Sequence, residues 1–148
     1  MTDKKPDPMD VDAVLASLNR ALVLQQRSVL QFTMGAGSMF GLEYQAVGAE
    51  LWRFARAELE DAKLMVEKIT ALGGDPTVEV GELRWESQPG AAVDALIEAE
   101  DETVAALHAV IPHSGQEPRS AALEHLMEHL IMRKQNQVDW LRRARREP

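Results

Sequence analysis

From Asp10 onward, apolar residues recur at three- and four-residue spacing: Val11, Val14, Leu15, Leu18, Leu22, Val29 and Phe32. That is the period of a helix with one buried face. The Gly35-Ala36-Gly37-Ser38 cluster ends this first helix. A second helix is predicted from Leu42 to Leu72, with Leu51, Phe54, Ala55, Ala62, Met65 and Ile69 on one stripe. Gly73-Gly74 marks its C-cap, and Pro76 prevents continuation. A third spans Ala91 to Val110, using Val93, Ile97, Val104 and Leu107, and stops before Pro112. The fourth runs from Arg119 to Arg146 with Leu123, Met127, Leu130, Val138 and Leu141 inward. Its closing arginines, Arg142, Arg143, Arg145 and Arg146, suit the negative end of the helix dipole. Between helices 2 and 3, Asp75 to Gly90 has no helical period and contains Pro76, Gly81 and Pro89. It is too long for a tight turn and reads as a crossover, packed on the surface through Val78, Val80, Leu83 and Trp85. A strand over Thr77–Val80 would have no partner. The pattern predicts an all-α four-helix bundle with one long crossover between helices 2 and 3. A flexible segment over residues 1–9 precedes one domain over residues 10–148.

Polar residues interrupt each apolar stripe. Gln25 breaks the first helix, Glu58 the second with Asp61 on the same face, and Glu100 the third; Lys134 and Gln137 break the fourth. Gln25, Glu58, Glu100 and Lys134 each lie near the middle of their own helix, and the middles of bundled helices meet at one height. The spacing therefore predicts a polar cluster of Gln25, Glu58, Asp61, Glu100, Lys134 and Gln137 inside an apolar core. Buried ionised groups without partners cost several kcal/mol. These groups must therefore share charges, protons or a metal. The alternative is that they sit at the rim as ordinary solvated charges.

Composition narrows the function classes. At 148 residues the chain is the size of one domain. It contains no cysteine, which excludes disulfides, thiolate nucleophiles and thiolate metal sites. A formal net charge of −8 repels a phosphate backbone, so nucleic acid is not an expected partner. No apolar run reaches the length of a membrane span, and the first residues do not read as a signal peptide. The expected location is the cytoplasm. His125 and His129 spell H-x-x-E-H with Glu128. They lie off the apolar stripe and read as a surface pair before they read as a zinc site. Gly35 to Ser38 follows a helix and not a strand, so a phosphate loop fails its context. Ser28 and Ser120 have no evident base partner, and nucleophilic catalysis has no support.

After residue 10 the chain resembles bacterioferritins and the wider ferritin-like superfamily. The resemblance is carried by Leu18-Asn19 with Leu22 and Gln25, by Glu58 to Pro76, by Glu100 to Ile111 and by Gln137-Val138-Asp139-Trp140. The second segment is similar to the family's stretch from Glu-x-x-His to a Gly-containing turn with Pro; the last is similar to its His-Ile-Asp-Trp. The family's di-iron centre takes a Glu from each of two helices and a Glu-x-x-His pair from each of the others. Carried over by position, the first Glu falls on Gln25 and the first Glu-x-x-His on Glu58 and Asp61. The third-helix Glu falls on Glu100, and the second Glu-x-x-His on Lys134 and Gln137. Only Glu58 and Glu100 are retained. The family's first-helix tyrosine falls on Phe32, and Leu59 stands where bacterioferritins place their haem methionine, so no haem is expected.

An ammonium group offers no lone pair to a metal while charged. Lys134 would stand in a cation's place and pair with Glu58, Asp61 or Glu100. Three carboxylates against one ammonium leave two negative charges, to be relieved by raised pKa values, by water or by one hard cation. The resemblance thus implies a ferritin-like protein whose di-iron ligand set is largely lost and which is not a ferroxidase. The alternative is iron binding, storage or detoxification at a modified carboxylate site, with Glu58, Asp61 and Glu100 as ligands of iron or another divalent metal. The resemblance also implies a homo-oligomer, a dimer or a larger assembly.

Overall fold

The structure, a computed structural model, describes residues 7–146. Four long helices carry it: α1 (Val11–Ser38), α2 (Gln45–Ala71), α3 (Pro89–His108) and α4 (Pro118–Arg145). No strand is present among the described residues, Thr77–Val80 included.

Local chemistry sets the helix ends. The Asp10 side chain accepts from the Ala13 N–H at 3.1 Å and caps α1. Gly41, at φ +89, then turns the chain into a single 3-10 turn over Leu42–Tyr44. That turn absorbs the three residues by which α2 begins later than its apolar pattern predicts. α3 and α4 start earlier than predicted, each on a proline, which fits a first helical turn because the N–H it lacks would be unpaired there.

The interior is layered. One apolar cluster gathers Leu18, Leu22, Ala62, Met65, Leu107, Leu123 and Leu130. The other gathers Phe32, Leu51, Phe54, Ala55, Val93, Ile97, Val138 and Leu141. On every helix the residue that breaks the stripe falls between the two: Gln25, Glu58, Glu100 and Lys134. α1 packs most extensively on α2, α3 on α1, and α4 on α3, whereas α2 and α4 meet along a looser seam.

The crossover is tied down by polar contacts. Asn19 accepts from the Thr77 N–H at 2.9 Å and donates to the Asp75 carbonyl at 3.1 Å. The Gly81 N–H donates to the Val23 carbonyl at 3.1 Å, and the Arg84 N–H to Gln31 at 2.9 Å. Buried Arg27 donates to the Ala99 carbonyl and pairs with Glu102, which also receives Arg84. Of the apolar residues expected to pack it, Val78 is almost fully exposed, whereas Val80, Leu83 and Trp85 are about half covered. An extended strap held by its backbone turns only some side chains inward, and here the polar anchors decide which.

The flexible segment expected over residues 1–9 falls partly outside the described residues. Within them, Met9 is buried, its N–H donates to Glu117 at 2.5 Å, and the Asp7 carbonyl accepts from the Gln116 N–H at 2.7 Å.

Candidate functional site

All six residues of the expected polar cluster are buried, from Gln25, Glu58 and Glu100 at 0% exposure to Gln137 at 4%. Lys134 reaches in from α4 with its Nζ 2.5 Å from Glu58 Oε2 and 2.8 Å from Glu100 Oε2. One ammonium therefore bridges carboxylates from α2 and α3. From α1, Gln25 Nε2 donates to Glu58 Oε2 at 2.5 Å and to the Glu58 carbonyl at 2.9 Å. Ser28 Oγ donates to Glu100 Oε1 at 2.5 Å. Ser28 is a member that the sequence reading missed. Its signal was present: it lies three residues after Gln25, on the same helical face.

Asp61 takes a different partner. Its Oδ2 lies 3.1 Å from Arg133 Nε, though the pair is not aligned for a hydrogen bond. Arg133 sits at the mouth of the looser α2–α4 seam, and its Nη2 approaches His129 Nε2 at 3.3 Å. His125 and His129 are both exposed.

The electrostatics follow from burial. Burial pushes the Glu58 carboxyl from its ordinary 4.5 up to about 7; Lys134 opposes the rise, while Glu100 and Asp61 add to it. Burial likewise raises Asp61 against the pull of Arg133 and Lys134. For Lys134, burial favours the neutral amine, but Glu100 and Glu58 together outweigh it and hold the ammonium above its ordinary range. At neutral pH the layer is a charged lysine between two carboxyl groups, with Glu58 part-protonated.

The layer holds more acceptors than donors. Gln25 Oε1, Glu58 Oε1, both Asp61 carboxylate oxygens and Gln137 Oε1 are buried with no hydrogen-bond donor among the described residues. Buried oxygens of this kind are normally satisfied by protons, water or a cation. Among the described residues, no group of three or more His, Asp or Glu side chains is disposed to hold a metal ion.

Four long helices around a buried carboxylate layer, with one long crossover, define the class of bundles built to carry carboxylate centres. The chain belongs to the ferritin-like domain family, which matches residues 15–147. In fold it is similar to a ferritin-like, diiron-carboxylate protein from Bacillus anthracis str. Ames. The identity is 20%, the TM-score 0.86, and the match covers 93% of this chain and 98% of that one. It is also similar to the bacterioferritin-related protein from Bacteroides fragilis, a dodecameric thioferritin. Here the identity is 16%, the TM-score 0.82, and the match covers 92% and 86% of the two chains. No curated protein matches the chain in sequence.

Proposed function

We propose that this chain is a ferritin-like protein without ferroxidase activity, in which Lys134 occupies the place of a metal and closes the carboxylate centre. The observation that carries the reading is the single Nζ within 2.8 Å of both Glu58 and Glu100. A pair of iron ions does not fit these residues. Position by position, histidines are replaced by Asp61 and Gln137, and a bridging carboxylate by Lys134. A charged ammonium at contact distance from both remaining glutamates repels a second cation and offers it no lone pair. In this reading the bundle serves as an assembly module in the cytoplasm. Homo-oligomerisation is supported by the dodecameric state of the Bacteroides fragilis neighbour. No helix among the described residues is long and apolar enough to cross a membrane.

One observation favours a second reading, binding of a single hard cation. The orphaned atoms of Glu58, Asp61, Gln25 and Gln137 are all oxygens, the donor type such ions take. Glu58, through its Oε1, and Asp61 would supply the charge, while Lys134 keeps Glu58 Oε2 and Glu100. Iron, as cargo for storage or detoxification, would enter there one ion at a time.

Metal content separates the readings: the protein is dialysed against excess ferrous iron without oxygen, then against manganese and zinc, and measured by mass spectrometry. No metal per chain is the expected result for the closed centre. One supports the second reading, and two would overturn both.

A further inference from the structure

His125 and His129 stand four residues apart on α4, within one unbroken helix, and both are exposed. Met127 and Leu130 beside them face the core, so the two imidazoles share the solvent side. Side chains at this spacing rise from Cβ atoms about 5–6 Å apart. That is close enough for two imidazole nitrogens to meet on one ion.

No side-chain hydrogen bond or ion pair engages His125 among the described residues. His129 has one polar neighbour, Arg133, whose Nη2 lies 3.3 Å from its Nε2. A guanidinium only donates, so Nε2 accepts and the neutral ring carries its proton on Nδ1. The same Arg133 lies 3.1 Å from the buried Asp61 carboxylate. A lone pair is thus presented at the surface by a ring that a guanidinium orients, and the guanidinium is held in turn by a carboxylate. The surrounding charge suits a cation despite Arg133. Asp61 is near enough for a charge on His129 to act on its carboxyl, and Glu128, between the two histidines in the chain, is exposed.

We propose that His125 and His129 form a surface site for one borderline divalent transition-metal ion, of which zinc is the type, with water completing its coordination. Imidazole nitrogen is the donor such ions take and hard cations do not favour. That choice separates the pair from the buried layer, whose orphaned acceptors are all oxygens. The protein supplies two ligands: among the described residues, no third His, Asp or Glu is disposed to join them. The ion takes the lone pair that Arg133 now occupies. Guanidinium and metal therefore compete for His129 Nε2, and Arg133 falls back on Asp61 alone.

The test is titration calorimetry of the whole chain with zinc chloride at pH 7.5, with magnesium chloride as the hard-ion comparison. One zinc per chain is expected, and magnesium should bind far more weakly. Either His125→Ala or His129→Ala should weaken zinc about tenfold or more, since each removes one arm of a chelate. Neither should move the thermal unfolding midpoint of the metal-free chain, because both side chains are exposed. Arg133→Ala is made in the Asp61→Asn background, so that no buried carboxylate is freed as a new ligand. It should tighten zinc about fivefold relative to Asp61→Asn alone, the worth of one displaced hydrogen bond. Absence of saturable zinc binding, or binding that either histidine variant leaves unchanged, would overturn the proposal. So would magnesium binding as tightly as zinc, or Arg133→Ala failing to tighten it. Zinc held at the buried oxygens would survive both histidine variants, so this proposal and the reading of Lys134 fail separately. For the same reason, the zinc count of the loading experiment is read on a chain carrying both His125→Ala and His129→Ala.

Discussion

Lys134 Nζ and Glu58 Oε2 lie 2.5 Å apart with both side chains sealed from solvent, at 1% and 0% exposure. A buried ion pair of this kind is a weak source of stability taken whole, because desolvation offsets the attraction. Breaking it from one side is costly. Lys134→Met keeps most of the volume but leaves Glu58 and Glu100 facing each other without their ammonium. We expect a loss of about 3 kcal/mol at neutral pH in denaturant unfolding. Adding Glu58→Gln and Glu100→Gln should restore most of it. A Lys134→Met chain as stable as the wild type would show that Lys134 does not hold these carboxylates.

Lys134→Glu asks the functional question. It returns a carboxylate to a position where the ferritin-like pattern has one, and raises the anionic count of the layer. The metal-free chain should become less stable than the wild type, and its metal content after anaerobic loading should rise. If neither quantity moves, the buried layer does not have the composition described above.

The layer was legible because it violates a rule. Gln25, Glu58, Glu100 and Lys134 stand where an apolar residue is due on four different helices, and the stripe itself fixes their height. Asp61 and Gln137 followed by sharing a face with Glu58 and Lys134. The partner of Asp61 was not legible. Arg133 neighbours a stripe-breaking residue but is itself part-exposed, and nothing in a one-dimensional pattern turns its guanidinium inward. The crossover shows the same limit. Its length and position were readable, yet its side-chain anchors are Asn19 and Gln31 on α1, polar residues whose partners lie more than 50 positions away.

Arg133 and Asp61 can be separated by a double-mutant cycle. Arg133→Ala leaves the Asp61 carboxylate buried without the guanidinium that offsets its burial. Asp61→Asn removes the charge that needs offsetting. The single Arg133→Ala change should cost about 1–2 kcal/mol, and much less in the Asp61→Asn background. Equal costs in both backgrounds, by urea unfolding, would mean that the 3.1 Å approach carries no energy.

Asn19 holds the start of the crossover through both ends of one amide. Asn19→Ala frees the Thr77 N–H and the Asp75 carbonyl, while Gly81 and Arg84 stay tied further along. Limited proteolysis should therefore cut faster within residues 75–80, with little change in the global unfolding midpoint. Unchanged cleavage there would assign the strap's order to other contacts.

The pH dependence of stability gives the most direct reading of the buried layer. Glu58 is an acid whose folded pKa, about 7, lies above its ordinary 4.5. Between those values the folded chain holds a proton that the unfolded chain has released. Its contribution is therefore full below the lower value, falls as pH rises through the window and is flat above about 7. The span corresponds to a loss on the order of 3 kcal/mol. Asp61, raised by burial, acts in the same direction. Asp94 and Glu102, held low by hydrogen bonds from Arg145 and Arg84, act oppositely at more acid pH, where their contribution is lost as pH falls. Both are solvent-exposed, so their effect is small. Lys134, raised by Glu100 and Glu58 against its own burial, contributes fully below 10.5 and loses that contribution only in more alkaline solution. Unfolding free energy should decline from pH 5 to 7 in the wild type, and Glu58→Gln should remove most of the slope. A wild-type curve that is level or rising there, and parallel to that of Glu58→Gln, would show that Glu58 ionises freely and that the proton is not part of this centre.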